Sequence, residues 1–287
     1  MAKIFIADPV AEDAKKQLAE MGELTFENTG DFDVVIVRSK TKVTKEFIDK
    51  APNLKLVVRA GVGLDNVDLK YCSEKGITVK NTPKASSVSV AELAMGLMLA
   101  CARDIPRATS TIKAGQWLKK ELKGFELAGK TLGLIGYGRI GNEVAKRARA
   151  FGMRVIVNDL LPVPEPDIVD LQTLFAESDI ISMHIPATEK TINMINKDAI
   201  AQMKDGVVII NTSRGAVVNE HDLADALKSG KVRSAGIDVY NTEPPADSPL
   251  IDLDNVVLTP HIGANTSDAM TKIGIELVNI VKDYISA

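Results

Sequence analysis

The sequence has too few cysteines and histidines, and too small a charge imbalance, for several common functional classes. Cys72 and Cys101 are the only cysteines, they do not form a CxxC pair, and only three histidines accompany them. A disulfide scaffold and a structural zinc site are therefore excluded, and no metal is expected. Lys and Arg number 35 against 38 Asp and Glu, a net charge of -3, which offers nucleic acid or an anionic membrane no overall attraction. Any anion site must be local. The longest charge-free apolar stretch, residues 93–102, is about half of the ~20 residues a membrane span requires. Asp8 interrupts the apolar start where a signal peptide would continue. The expectation is a soluble protein of the reducing cytoplasm.

What is present is a chain of 287 residues, 45% hydrophobic, long enough for two domains with cores of their own. β-branched runs at residues 3–7, 34–37, 54–58 and 77–79 read as strands with helical segments between them. A nearly all-round apolar helix is expected over residues 86–103, which its pattern would bury. A second series follows, with strands expected near 131–136, 154–158, 179–185, 206–211, 234–238 and 255–258. Alternation of this kind argues an α/β fold with parallel sheets, and six strands match a dinucleotide-binding sheet. The proline-rich residues 161–166 read as a surface loop at the cofactor edge. The amphipathic helix at 267–284 is too short for a core of its own and must dock on an existing one. There is no internal repeat or low-complexity tract.

The clearest motif is Gly136-Tyr137-Gly138-Arg139-Ile140-Gly141, a GxGxxG between a buried-type strand and a helix. Gly136 permits the tight turn, Gly138 lets the backbone approach a pyrophosphate at the helix N-terminus, and Gly141 lets helix and strand pack closely. An acid, Asp159, ends the next strand roughly 20 residues on, the spacing of a ribose-binding carboxylate. It would repel a 2'-phosphate, and Leu160 and Leu161 offer no basic compensation, so NAD is favoured over NADP.

Three more polar residues follow the ends of buried strands: Arg214, Glu243 and His261. The carboxyl ends of parallel strands are where such sheets bind ligands. A histidine can take a hydroxyl proton as hydride leaves an alcohol, a carboxylate can fix its tautomer, and a guanidinium can hold a substrate carboxylate. Each residue taken singly could equally be structural. His184 reads as a core or loop-edge histidine and His221 as a solvated first-turn residue, and neither is assigned a chemical role.

Together these segments resemble the D-isomer-specific 2-hydroxyacid dehydrogenases, most closely the phosphoglycerate-oxidising branch, over essentially the whole chain. The resemblance is carried also by Val37-Arg38-Ser39, Arg59-Ala60-Gly61-Val62-Gly63-Leu64-Asp65, Asn81-Thr82-Pro83, Asn211-Thr212-Ser213-Arg214-Gly215, Asp238-Val239-Tyr240 and Pro260-His261-Ile262-Gly263. It implies two Rossmann-like domains, an NAD-binding domain at 82–263 inserted into a flavodoxin-like substrate domain made of 1–81 and 264–287. It implies catalytic roles for Arg214, Glu243 and His261, and cofactor contacts from Gly136, Gly138, Arg139, Ile140, Gly141, Asp159, Thr212, Asp238 and Gly263. Asp238 would lie near the nicotinamide carboxamide. Substrate contacts are implied for the Gly61, Val62 and Gly63 backbone, for Arg38 and Arg59 toward a phosphate, and for Lys119.

The reaction so implied is NAD-linked oxidation of D-3-phosphoglycerate. Val62 stands where some relatives carry a hydroxyl residue, and reduction of glyoxylate or hydroxypyruvate is the alternative. A third reading is an NADH-sensing corepressor-like binding protein. Trp117, the only tryptophan, is either an anchor of a homodimer through the cofactor domain or packed within its own subunit. The chain stops at Ala287 without a regulatory domain, so no feedback inhibition by serine is expected.

Overall fold

The computed structural model describes residues 1–163 and 167–286, so residues 164–166 of the expected proline-rich loop lie outside the described residues. The chain begins β1 (Ala2–Ile6), α1 (Glu12–Ala19), β2 (Gly22–Thr25), β3 (Val34–Val37), α2 (Lys45–Asp49), β4 (Leu56–Arg59), α3 (Leu69–Glu74) and β5 (Thr78–Asn81). Next come α4 (Ser87–Ala102), α5 (Ile105–Lys113), β6 (Thr131–Ile135), α6 (Arg139–Ala150), β7 (Arg154–Asn158), α7 (Leu171–Glu177) and β8 (Ile180–Met183). It continues with α8 (Lys197–Gln202), β9 (Val207–Asn211), α9 (Glu220–Ser229), β10 (Val232–Ile237), β11 (Val256–Leu258) and α10 (Ser267–Ile285).

Two compact units result, Met1–Ser87 with Ala264–Ala287, and Val88–Gly263. In the first, five parallel strands are ordered β2-β1-β3-β4-β5. Alternate residues face opposite sides of the sheet. Ile4, Ile6, Val34, Ile36, Leu56 and Val58 pack with α1 and α10, while Phe5, Val35, Val37 and Val57 pack with α2 and α3. With both faces covered, the strands read as continuous apolar runs, and β3 is buried at every position. The last helix docks as expected, burying Ile273, Leu277, Val278 and Val281.

The sequence pattern had not revealed β2. It is an edge strand with one buried residue in four, so it needs no apolar run. Its first residue is a glycine because a Cβ there would collide with the Ala2 carbonyl of the neighbouring strand.

In the second unit six parallel strands are ordered β11-β10-β9-β8-β6-β7. One face packs against α7, α8 and α9 through Ile156, Ile181 and Ile209. The other packs against α4 and α6 through Leu132, Leu134, Val208 and Ile210. Both sheets are those of Rossmann-like α/β folds. The strand order reverses between β6 and β8, and ligands bind at the carboxyl ends of strands beside such a reversal. Among the described residues no helix is long and apolar enough to cross a membrane.

Candidate active site

The candidates of the second unit converge because each follows the carboxyl end of a strand in one sheet: Gly136 after β6, Asp159 after β7, Thr212 and Arg214 after β9, Asp238 after β10 and His261 after β11, with His184, which was no candidate, after β8. The GxGxxG turn has the geometry its spacing implies. Gly136 has φ 94, and a Cβ there would lie 2.6 Å from the His184 carbonyl oxygen. A Cβ on Gly141 would collide with the Gly136 carbonyl. Gly138 caps α6 without a side-chain bond to its first amides, and nothing lies within 4 Å of a Cβ built there. Free amides, an open backbone and the positive end of a helix dipole suit a pyrophosphate. The buried Thr212 hydroxyl, with no partner among the described residues, adds an unused polar group at the same strand ends. The residues therefore fit a bound dinucleotide.

Asp159 is tied to the turn it serves. Its Oδ2 accepts the Tyr137 N–H at 2.7 Å and its Oδ1 the Leu161 N–H at 2.9 Å. One lone pair on each oxygen is thus engaged, and the carboxylate is held in place before any ribose arrives.

The Arg214 turn is organised by a buried amide. Asn211, fully buried at the end of β9, accepts from the Ser213 N–H at 3.0 Å and hydroxyl at 2.8 Å, and donates to the Arg214 carbonyl at 2.9 Å. The Arg214 guanidinium donates to the Ser213 carbonyl at 2.7 Å. Gly215 follows because a side chain there would collide with the Tyr240 carbonyl.

His261 and Glu243 form a direct pair. Nδ1 lies 2.9 Å and 2.8 Å from the two carboxylate oxygens. A carboxylate can only accept, so Nδ1 donates to it, and in the neutral ring the lone pair is then on Nε2. Both side chains are partly exposed, 46% for His261 and 40% for Glu243. His261 has φ 52, a left-handed conformation uncommon outside glycine.

What holds that backbone is Asp238, 1% exposed. Its Oδ1 accepts the Thr259 hydroxyl at 2.6 Å and the Ile262 N–H at 2.8 Å, and its Oδ2 accepts the Gly263 N–H at 2.9 Å. The expected role of Asp238 beside the cofactor is thus joined by one the sequence did not reveal, holding the segment that carries His261. Tyr240 assists, its hydroxyl donating to the Thr259 carbonyl at 2.9 Å. Burial, then the charges of Asp238, Glu243 and Glu220, push that phenol up to about 12, so it remains a donor.

In the first unit Arg38 follows β3, Arg59 ends β4, and both are half-buried. Among the described residues no carboxylate pairs with the Arg38 guanidinium, while Asp8 Oδ2 accepts its backbone N–H at 2.6 Å. The Arg59 guanidinium packs against Gly61, whose φ is 151. The Gly61 carbonyl accepts from Thr82 N–H at 3.0 Å and the Val62 carbonyl from Asn81 Nδ2 at 2.5 Å. Among the described residues the Val62 and Gly63 N–H groups have no acceptor, as a backbone anion seat requires.

Exposure removes one of the two alternatives for Trp117. Trp117 is 77% exposed, not packed within its own subunit, and no residue of α5 just before it is buried. Lys119 is exposed beside it. His221 lies exposed in the first turn of α9. Neither cysteine is a nucleophile: both are buried, and burial pushes the Cys101 thiol up to about 12.

Comparison with known proteins bears on the family of the chain. Residues 95–263 match the family model of the D-isomer specific 2-hydroxyacid dehydrogenase, NAD binding domain. The chain is 53% identical over 294 residues to a hydroxypyruvate reductase of Thermotoga maritima, covering 96% of each. It is 48% identical to a D-3-phosphoglycerate dehydrogenase of Methanocaldococcus jannaschii over 99% of its own length and 58% of that protein's. The chain thus spans little more than half of that relative. A solved D-lactate dehydrogenase from Aquifex aeolicus, complexed with NAD and lactic acid, superposes with a TM-score of 0.89 at 33% identity, covering 99% of this chain and 95% of that one.

His184 supplies a pH test of the cradle. Its Nε2 meets the Ser182 hydroxyl at 2.9 Å while its Nδ1 is buried without a partner among the described residues, and desolvation lowers its pKa from 6.5 to about 4. Between those values only the unfolded chain takes the proton, so stability falls as pH falls through that window. In urea unfolding between about pH 7 and 5, the wild-type protein is expected to lose about 2 kcal/mol more than a His184→Gln variant. Equal losses would show that His184 does not remain neutral in the fold.

Proposed function

The chain belongs to the D-isomer-specific 2-hydroxyacid dehydrogenase family, and from that footing we propose that it interconverts D-3-phosphoglycerate and 3-phosphohydroxypyruvate with NAD. When bound, NAD supplies the acceptor for the hydride that leaves C2 of the hydroxy acid. His261 Nε2 takes the hydroxyl proton as the carbonyl forms, and returns it in the reverse direction. Glu243 keeps the other ring proton on Nδ1 and stabilises the imidazolium. Arg214 holds the substrate carboxylate and polarises the reacting oxygen. Gly136, Gly138, Arg139, Ile140 and Gly141 would hold the pyrophosphate, and Thr212, Asp238 and Gly263 would serve the nicotinamide half. Asp159 would accept from the ribose hydroxyls on its remaining lone pairs and would repel a 2'-phosphate. The soluble substrate and cofactor suit a cytoplasmic enzyme.

The observation that carries this reading is the His261–Glu243 pair at 2.8 Å, with a free Nε2. For the substrate, the support is Arg38, half-buried without a carboxylate partner among the described residues, together with Arg59 and the free amides of Val62 and Gly63. A second reading, hydroxypyruvate reduction, is favoured by the 53% identity to a reductase of nearly the same length. NADH oxidation with 3-phosphohydroxypyruvate and hydroxypyruvate side by side separates the two. A preference for the phosphorylated acid of about a hundredfold, worth about 2.7 kcal/mol, is expected, and Arg38→Glu should abolish it. Equal rates would assign the reductase.

His261→Ala should lower kcat by at least about a hundredfold while NADH affinity, read by fluorescence, stays within about twofold. Equal loss of both would remove His261 from the chemistry.

The exposed Trp117 and the unburied α5 support a homodimer through the NAD-binding unit, in which Lys119 is presented to the neighbouring protomer's substrate. Sedimentation velocity should show a dimer that Trp117→Ala shifts toward monomer; an unchanged dimer would place the interface elsewhere.

A further inference from the structure

Glu220 is a buried carboxylate that the reaction described above leaves unused. It is the first residue of α9 and 8% exposed, whereas glutamates are almost never buried unless paired. An acid at a helix N-terminus interacts favourably with the dipole, but an exposed one does so equally well. Burial therefore needs another reason.

Both of its oxygens are engaged by the segment that carries Glu243. Oε1 accepts the Asn241 N–H at 2.7 Å, and Oε2 accepts the Ser248 hydroxyl at 2.6 Å. Glu243 lies between those two anchor points. Each end is braced again: Asn241 Nδ2 donates to the Val218 carbonyl at 3.4 Å, and the Ser248 N–H donates to the Pro245 carbonyl at 3.1 Å. Glu243 itself is 40% exposed, and its bonds are to His261 and, at 3.3 Å, to the Tyr240 N–H. A partly exposed carboxylate on an untethered loop would spend much of its time away from a single partner, because ordering loop residues costs conformational entropy. Charge-assisted bonds to a fixed carboxylate are strong enough to oppose that cost.

We propose that Glu220 is a positioning residue: by fastening both ends of the 241–248 loop to the start of α9, it holds Glu243 against Nδ1 of His261. The proposal deepens, and rests on, the reading of the His261–Glu243 pair as the proton-transfer machinery. It also gives α9 a link to the reaction that helix packing alone does not require.

The test is a double-mutant cycle in steady-state kinetics, using NADH and whichever of the two keto acids is reduced faster. Glu220→Ala should lower kcat by about tenfold with NADH affinity within about twofold. Glu220→Gln, able to accept from Asn241 and to donate to the Ser248 oxygen, should restore most of it. In a Glu243→Ala background, Glu220→Ala should cost less than about twofold more, because the group it positions is gone. The same factor in both backgrounds, or no rescue by glutamine, would overturn the proposal. If Glu220→Ala does not fold, Ser248→Ala is measured in the same two backgrounds, with a loss of about threefold expected only where Glu243 is present. Glu243→Ala with unchanged kcat would overturn the pair itself and, with it, any positioning role. A slow Glu243→Ala combined with a multiplicative Glu220 effect would overturn the positioning role alone.

Discussion

The hydrogen bonding of the Asp238 carboxylate, closed off from solvent just after β10, is the interaction on which the geometry around His261 depends. A buried charge is tolerated only when its lone pairs are met, and here the donors come from Thr259, Ile262 and Gly263. Those residues flank His261 on both sides. The same bonds that make the charge tolerable therefore fix the path of the chain through a histidine whose φ is 52. Hydrogen bonds to charged groups contribute about 1.5–3 kcal/mol each, enough to offset the cost of a left-handed residue, of order 1–3 kcal/mol.

The pattern recurs at other strand ends. Asn211 closes the turn bearing Arg214, Asp159 holds the Tyr137 and Leu161 amides, and Asp8 after β1 holds the Arg38 and Thr41 amides with the Thr41 hydroxyl. Apolar strands supply rigid positions but no directional contacts. A polar side chain at the strand terminus converts that rigidity into a fixed loop conformation, because backbone N–H groups must find acceptors when buried. Glu220 extends the device from a strand end to a helix start.

The fold was legible wherever burial left a periodic or continuous apolar signal, as in β3, β9 and α10. The strand β2 was missed because an edge position demands little apolar surface. The site was legible where residue type and spacing carry it, as in the GxGxxG turn and in the placing of Arg214 and His261 after strand ends. The supporting residues were not. Asn211 and Asp238 are polar endings to apolar runs, a signal that marks them without saying what they hold, and Glu220 looks like any acid in a first helical turn.

What the sequence by itself determined is the pair of parallel α/β sheets and the dinucleotide turn, since these follow from local periodicity and from the backbone freedom of glycine. Only the tertiary structure decided that Glu243 meets Nδ1 of His261, that Asp238 grips residues 259–263, that Glu220 fastens the 241–248 loop and that Trp117 stands in solvent. Those contacts join residues from different elements, and hydrogen-bond geometry, unlike hydrophobic periodicity, leaves no trace in the spacing of the groups it brings together.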